Sequence, residues 1–435
     1  MCQNINPVFY DELNNDGSQF RLLKVADGPI NGPHFNLRIF HCADAPEYKA
    51  LSYTWGSKLD PKTIHVNGRP FVVRQNLHAF LEVCRTLDDR PWIWIDQICI
   101  NQADEDEKGT QVQMMDAIFG RASETYVWLG TDPDDGVVAD LVNQVVPKYR
   151  AEVQNQQCED DHVLVQKHQE YWAAISAALP PNTRDALRRL SLNSYWERLW
   201  VAQEVVLSRQ PTILYGMSHM NFHDYHTALQ QLQPLDEDTE AAGLSDLQET
   251  FRSHHRDMSV QSRSNLCYRI AQYIYGSKCE DPRDKIFGIQ SLLESEFRVA
   301  VDYGSSTHRV YLAAMETWLK ALHMQDNASS GIGHGFFICL LCARGMGIID
   351  ERENEFDALW ALESEMRKSY DHLVPQERRD GKGVMFGLGQ KWEAVKVVLH
   401  EHIGIANAVG ETEDSDWELN MWMKHSLLAS KNTRF

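Results

Sequence analysis

Several kinds of segment are missing from this sequence, and each absence narrows the possibilities. No stretch approaches the roughly 18 consecutive apolar residues of a membrane-spanning helix. The opening MCQNINPVFYDELNNDG has neither the basic nor the apolar region of a signal peptide, so a cytoplasmic protein without a membrane span is the expectation. Basic residues are scarce: 42 Lys and Arg face 62 Asp and Glu, a formal charge of −20. Such a balance argues against nucleic acid or an anionic membrane as a partner, and any phosphate-bearing ligand needs a local basic pocket. The 9 cysteines are odd in number and lack framework spacing, which points to reduced thiols. Cys339 and Cys342 make one CxxC, but it lies inside the apolar FFICLLCA with no second pair and reads as buried thiols. P-loop, GxGxxG, GxSxG and HExxH motifs are absent, and GIGHG at Gly331 to Gly335 has the wrong spacing and no strand before it. His219, His223 and His226 lack zinc-motif spacing, a nearby cysteine and a strong fourth ligand, so no metal is expected.

What is present is globular. The 435 residues are 43% hydrophobic and 24% charged, enough for a large core and two or three lobes. The organising stretch is PWIWIDQICINQADEDEKGTQ, Pro91 to Gln111. Its apolar run Trp92 to Ile95 halts at Asp96, as a strand buried on both faces would. Asn101 and Gln102 suit a loop, Asp104 with Glu107 marks a helix start, and Val112, Met115 and Phe119 give Gln111 to Ala122 an apolar face. Asp96 thus stands at the carboxyl end of a buried strand, where open α/β sheets bind ligands, though an aspartate there also serves simply to cap the loop or the helix.

Before this unit, Phe20 to Val25 and Phe35 to His41 read as a hairpin around the turn-rich Gly28 to Pro33. KALSYTWG, Lys49 to Gly56, is a short strand ending in aromatics and a glycine. Ile64 to Val66 and Phe71 to Val73 flank Asn67-Gly68, the signature of a type I′ hairpin, and Pro70 marks an edge element. Asn76 is placed to cap an amphipathic helix over Gln75 to Thr86. After it, Thr125 to Leu129 and Thr212 to Tyr215 are further buried strands ending at Gly130 and Gly216. Gly136 to Leu192 between them reads as a helical insertion. In NSYWERLWVAQEVVL, Ser194 and Glu197 form a capping box, which predicts a helix starting at Ser194. That start would put Glu204 about 15 Å along its helix, far from the strand ends; a start nearer Arg198 would bring it close.

The acidic LDEDTE, Leu235 to Glu240, reads as a solvated loop at a lobe boundary. Asp246 to Ser277, Thr307 to Leu322 and Glu355 to Ser369 are helical in pattern, and DPRDKIFGIQSLL, Asp281 to Leu293, resembles a helix packed on the first lobe. The predicted class is α/β: a mainly parallel sheet with strands at Leu51, Trp94, Val127 and Ile213, flanked by helices. The expected division is an N-terminal β region over 1–48, a central domain over 49–234 with its insertion at about 136–192, and a helix-rich region over 235–435.

Three segments, ALSYTWG (Ala50 to Gly56), WIDQICINQADEDEKGTQVQMM (Trp94 to Met115) and RLWVAQE (Arg198 to Glu204), resemble in order the motifs of the fungal heterokaryon incompatibility, or HET, domain. Departures are mild: Gln97 stands where a small residue is usual, Lys108 where Arg is frequent, and Phe119 where Tyr is frequent. HET domains have been compared with TIR domains, which share the flavodoxin-like sheet and of which some members cleave NAD with a glutamate. The resemblance implies a TIR-like fold, Glu204 as the catalytic carboxylate, and a nucleotide site from Ser52, Tyr53, Trp55, Gly56, Asp96, Arg198, Trp200 and Gln203. It implies NAD as substrate with no cofactor, a homo-oligomer on activation, and a protein partner in an incompatibility pathway. Tyr53, Trp55 and Trp200 could stack on flat rings and Arg198 could face pyrophosphate; tryptophans such as Trp55 and Trp200 are more often core aromatics than ring clamps, and an arginine there also serves to pair with Glu197 or an aspartate. Two other functions fit the same segments: a signalling module that acts by self-association, and a nucleotide sensor without turnover.

Overall fold

The structure is a computed structural model that describes residues 10–14, 16–26, 34–87, 89–132, 135–154, 161–232, 240–257, 260–323, 342 and 345–347. Its strands are β1 (Gln19–Val25), β2 (His34–His41), β3 (Tyr48–Tyr53), β4 (Lys62–Val66), β5 (Arg69–Val73), β6 (Trp92–Trp94), β7 (Glu124–Trp128), β8 (Pro211–Tyr215) and β9 (Ser218–Asn221). The helices are α1 (Gln75–Cys84), α2 (Asp96–Cys99), α3 (Glu105–Gln113), α4 (Met115–Arg121), α5 (Asp135–Tyr149), α6 (Asp161–Ala178), α7 (Pro181–Ser191), α8 (Val201–Val206) and α9 (Phe222–Leu232), followed by α10 (Glu240–Asp257), α11 (Val260–Gly276), α12 (Asp284–Phe287) and α13 (Thr307–His323). None of the described helices is long and apolar enough to cross a membrane. The turn at Gly28 to Pro33, most of the CxxC and of LDEDTE, the GIGHG run and the helix pattern at Glu355 to Ser369 lie outside the described residues.

The four apolar runs lie side by side as parallel neighbours, in the order β6, β3, β7, β8. Their burial explains the choice of residues: Ala50, Trp94, Val127 and Ile213 are completely buried, as central strands covered on both faces require. The expectation of a mainly parallel sheet needs correction, because the strands on either side make one mixed sheet of 9 strands, ordered β5-β4-β2-β1-β6-β3-β7-β8-β9. β1 pairs antiparallel with both β6 and β2, β4 with β5, and β9 with β8, while β2 and β4 run parallel. The physical reason is an open edge. Left alone, β6 would expose unpaired backbone groups beside a buried apolar run, and β1, with Leu22 and Leu23 fully buried, covers them. At the far ends, β5 carries Pro70, and the side chain of Asn143 on α5 donates to His219 O on β9 at 2.9 Å. Asn67 and Gly68 both have positive φ, 52° and 75°, as a type I′ turn demands.

Helix starts follow the sequence in one case and depart from it in another. Asp104 caps α3, its carboxylate accepting from the amides of Asp106 and Glu107. The predicted helix from Gln111 breaks at Met114, so α3 and α4 meet there. Asn76 does not cap α1. The N-cap is Arg74, without a side-chain cap bond, because the Asn76 amide is already taken by Thr54 O and by the Trp128 indole.

The chain divides into two compact units, residues 1–248 and 249–435. Within the second, DPRDKIFGIQSLL forms only the four-residue α12 and a 3-10 turn at Gln290–Leu292, and not a single helix. Its charged groups tie down backbone: Lys285 Nζ donates to Ile274 O and Ser277 O beyond the end of α11, and Arg283 bonds Asp281, Tyr303 O and Ser305 O.

Candidate functional site

The site is built where β3 ends. Side chains alternate along a strand, so consecutive residues reach opposite faces. Ser52, fully buried, contacts two groups that follow α7: its hydroxyl donates to Glu204 Oε2 and lies 2.5 Å from the Tyr195 hydroxyl. Tyr53 bonds Gln97 Oε1 through its own hydroxyl at 3.3 Å.

Glu204 reaches Ser52 because α8 starts late. The predicted start at Ser194 does not hold: residues 194–200 form successive turns, with Trp196, Glu197 and Arg198 amides bonded to Asn193, Ser194 and Tyr195 carbonyls. Asn193 stabilises the alternative, accepting from the Tyr195 amide at 2.9 Å and donating to Leu129 O at 3.0 Å. Adjacent Tyr195 and Trp196, both at 0% exposure, are thereby buried together. The helix begins at Val201, Glu204 falls in its first turn, and α8 packs on β3 and β7. Arg198 approaches the same Oε2 at 3.5 Å.

A second group of contacts is centred on Asp96, at the head of α2 just past β6. Trp55 donates from its indole to Asp96 Oδ2 at 2.6 Å, and the Gln97 amide donates to Oδ1 at 2.6 Å. The loop carrying Trp55 is pinned from the start of α1. Arg74 donates to Gly56 O at 2.8 Å and stacks on the Trp55 ring at 4.9 Å, while Asn76 holds Thr54 O at 2.6 Å. Gly56 itself has φ +74°, and a Cβ there would sit 3.4 Å from the Asn76 Cβ, which makes glycine the natural residue.

The two groups are electrostatically one. Burial raises the pKa of Glu204 above the usual carboxylate value; Arg198 and the Ser52 bond pull it back, and Asp96 pushes it further up. Burial likewise raises Asp96, against the pull of the Trp55 bond and Arg198. Burial opposes the charge of Arg198, but Glu204, Tyr195, Asp96 and Tyr53 outweigh it and its pKa rises. Two carboxylates therefore share one guanidinium.

Of the residues named from sequence, Ser52, Glu204 and Arg198 are in direct contact. Trp55 and Asp96 are bonded to each other, Gly56 meets Arg74, and Tyr53 meets Gln97. Trp200 is half-buried at the N-cap of α8, its carbonyl accepting the Glu204 amide, and Gln203 is buried on α8. Sequence reasoning missed Tyr195, Arg74 and Asn76 as neighbours of the site. Tyr195 lies within the NSYWERLW segment, but nothing in a sequence pattern marks a tyrosine that bonds a serine 143 residues away.

Elsewhere, the acidic end of the central motif has a structural task. Glu107 forms a two-pronged pair with Arg21 of β1, 2.7 and 3.0 Å, and also accepts from the Asn101 amide at 2.6 Å. Among the described residues no cluster of His, Cys, Asp and Glu is placed to hold a metal ion. His226 is pushed down to about 4 by burial and by His223, so its ring is neutral at ordinary pH.

Parallel strands ending in a charged cluster define an α/β domain with a ligand-site geometry. Within it, residues 48–204 match the family described as heterokaryon incompatibility protein (HET). A relative from Neurospora crassa, "Heterokaryon incompatibility protein 6, OR allele", is 31% identical over 189 residues, 37% of this chain and 28% of that protein. The likeness thus spans well under two thirds of the relative. No solved structure matches the chain.

Proposed function

We propose that this protein acts in nonself recognition leading to cell death, and that its HET domain is a TIR-like hydrolase that releases nicotinamide from NAD or a related nucleotide. The observation that carries the reading is Glu204: a nearly buried carboxylate in the first turn of α8, held by Ser52 and Arg198 at the carboxyl end of β3. Strand order supports the TIR-like part. Numbered among themselves in chain order, the parallel strands run 2-1-3-4, the start of the flavodoxin-like order, whose ligands sit beyond the strand ends.

The chemistry asks little of the protein. Breaking the bond between nicotinamide and ribose lets a cationic ring leave as neutral nicotinamide, so no acid need protonate it. Water adds to the ribose C1′, and its proton goes to solvent. One carboxylate stabilises the oxocarbenium-like centre, and its partial desolvation concentrates that effect. In this reading Asp96 takes ribose hydroxyls and Trp55 flanks a flat ring. Because constitutive NAD cleavage would harm the cell that makes the protein, self-association or a partner is proposed to raise activity.

A non-enzymatic assembly module is the second reading, favoured by the 4% exposure of Glu204 and the engagement of its Oε2. Incubating the purified chain with NAD across a range of protein concentrations and following free nicotinamide separates the two. Release that rises more than linearly with concentration supports the enzyme and its activation. Full turnover by a demonstrated monomer would remove the activation step. No release at any assembly state would leave the module.

A further inference from the structure

A nucleotide substrate brings a pyrophosphate, and the site as described is short of positive charge to receive it. Asp96 and Glu204 are two carboxyl groups set around one guanidinium, that of Arg198. Arg198 sits 3.5 Å from Glu204 and feels Asp96 as well, so its charge is engaged before any ligand arrives. A dianion placed against this arrangement would meet net repulsion.

The adjoining cation is Arg74. It stands at the junction of β5 and α1, half-buried, with one guanidinium nitrogen on Gly56 O and its Cζ over the Trp55 ring. Among the described residues it forms no ion pair, in a chain whose formal charge is −20. Both of its contacts orient the side chain and neither neutralises it. Arg74 is also linked to the reacting end: it stacks on Trp55, whose indole bonds Asp96. A guanidinium fixed in this way presents its remaining N–H groups as a preorganised fork, the geometry that phosphate oxygens accept in pairs.

We infer that Arg74, and not Arg198, is the residue that receives the pyrophosphate, so that the site is specific for nucleotides joined through a diphosphate over phosphate-free nucleosides. This rests on the nucleotide reading proposed above and assigns a separate task within it: Arg198 orients Glu204, and Arg74 sets which ligand is admitted.

The test is calorimetric titration of the full chain with ADP-ribose and with nicotinamide riboside, which differ in the diphosphate and require no turnover. For Arg74→Ala the preference for ADP-ribose over the riboside is expected to fall at least tenfold, and Arg74→Lys, which keeps charge but loses the fork, to fall between the two. Raising salt should weaken ADP-ribose binding more in wild type than in Arg74→Ala. Thermal melting of each variant confirms an equal folded fraction, and Arg74→Lys carries the test should the alanine variant misfold. An unchanged preference in folded Arg74→Ala, or wild type that binds neither ligand, overturns the inference. Binding of ADP-ribose through Arg74 without any nicotinamide release would instead remove the hydrolase reading and leave this one standing.

Discussion

Two buried Arg–Glu pairs lie in this one unit, and they are built to different ends. Arg21 and Glu107 are 2% and 6% exposed and meet through two bonds. Further bonds tie both to backbone: Arg21 donates to Cys99 O and Asp11 O, and Glu107 accepts from the Asn101 amide. In the second pair Arg198 is 18% and Glu204 5% exposed, and Arg198 Nη1 approaches Glu204 Oε2 at 3.5 Å. Their glutamate shares its oxygen with a serine, and a second carboxylate raises its pKa further. The first pair ties β1 to the first turn of α3. The second sets a carboxyl whose pKa burial raises at the strand ends, the kind of perturbed group that clusters at functional sites.

The sharpest way to break this comparison is to neutralise each glutamate. Glu107→Gln leaves Arg21 buried without a counter-charge, and breaking such a pair costs about 3–5 kcal/mol. Urea unfolding should show that loss, while nicotinamide release per folded molecule stays at the wild-type level. A loss under about 1 kcal/mol would mean the pair is not a clamp. Glu204→Gln should do the reverse. Turnover should drop roughly 100-fold or more, the range for a lost electrostatic stabiliser, at a folded fraction matched to wild type. If turnover is unchanged, Glu204 has no part in the chemistry.

Asn76 sits between these extremes and sharpens the contrast. Its amide holds the loop before Trp55 and satisfies the Trp128 indole of β7. Asn76→Ala strands a buried N–H, costing about 1–3 kcal/mol. It should also loosen Trp55 and so raise KM for NAD more than it lowers kcat. A stability change with KM untouched would place Asn76 with the clamp and not with the site.

How much of this was written in the sequence differs between the two pairs for a physical reason. Buried strands announce themselves through uninterrupted apolar runs, and the Asn67-Gly68 turn and the Asp104 cap are local chemistry, so those elements were legible. The parallel block was legible from alternating order, but the antiparallel β1 beside β6 was not, since register between strands 70 residues apart leaves no periodic mark. The Ser194 capping box misled because Asn193 offers the backbone a competing set of bonds. Ser52, Arg198 and Glu204 were named as site residues from resemblance alone, their contact was not foreseen, and the clamp of Glu107 by Arg21 was invisible, since it joins a helix start to a strand 86 residues earlier. Short-range rules see caps and turns; long-range charge pairing is a product of the finished fold.

The smallest expected effect is a difference between two pH curves, and it separates the pairs most cleanly. Glu204 has a folded pKa raised above its ordinary value of 4.5, chiefly by burial. Between the unfolded and folded values the native state therefore holds more protons than the unfolded state, and stability falls as pH rises through that window. The stabilisation is fully present below about 4.5 and lost once pH passes the folded pKa. Gln at this position cannot titrate, and because the repulsion between Glu204 and Asp96 is mutual, its loss also makes Asp96 easier to ionise, which acts in the same direction. Arg198 keeps Asp96 as a counter-charge. Thermal melts of wild type and Glu204→Gln taken from pH 4 to pH 8 should thus show the variant gaining on wild type as pH increases. Breaking a buried ion pair such as Arg21–Glu107 instead leaves the variant the less stable protein at neutral pH. A difference that is flat, or that moves against the variant with rising pH, would show that the second pair is a clamp like the first.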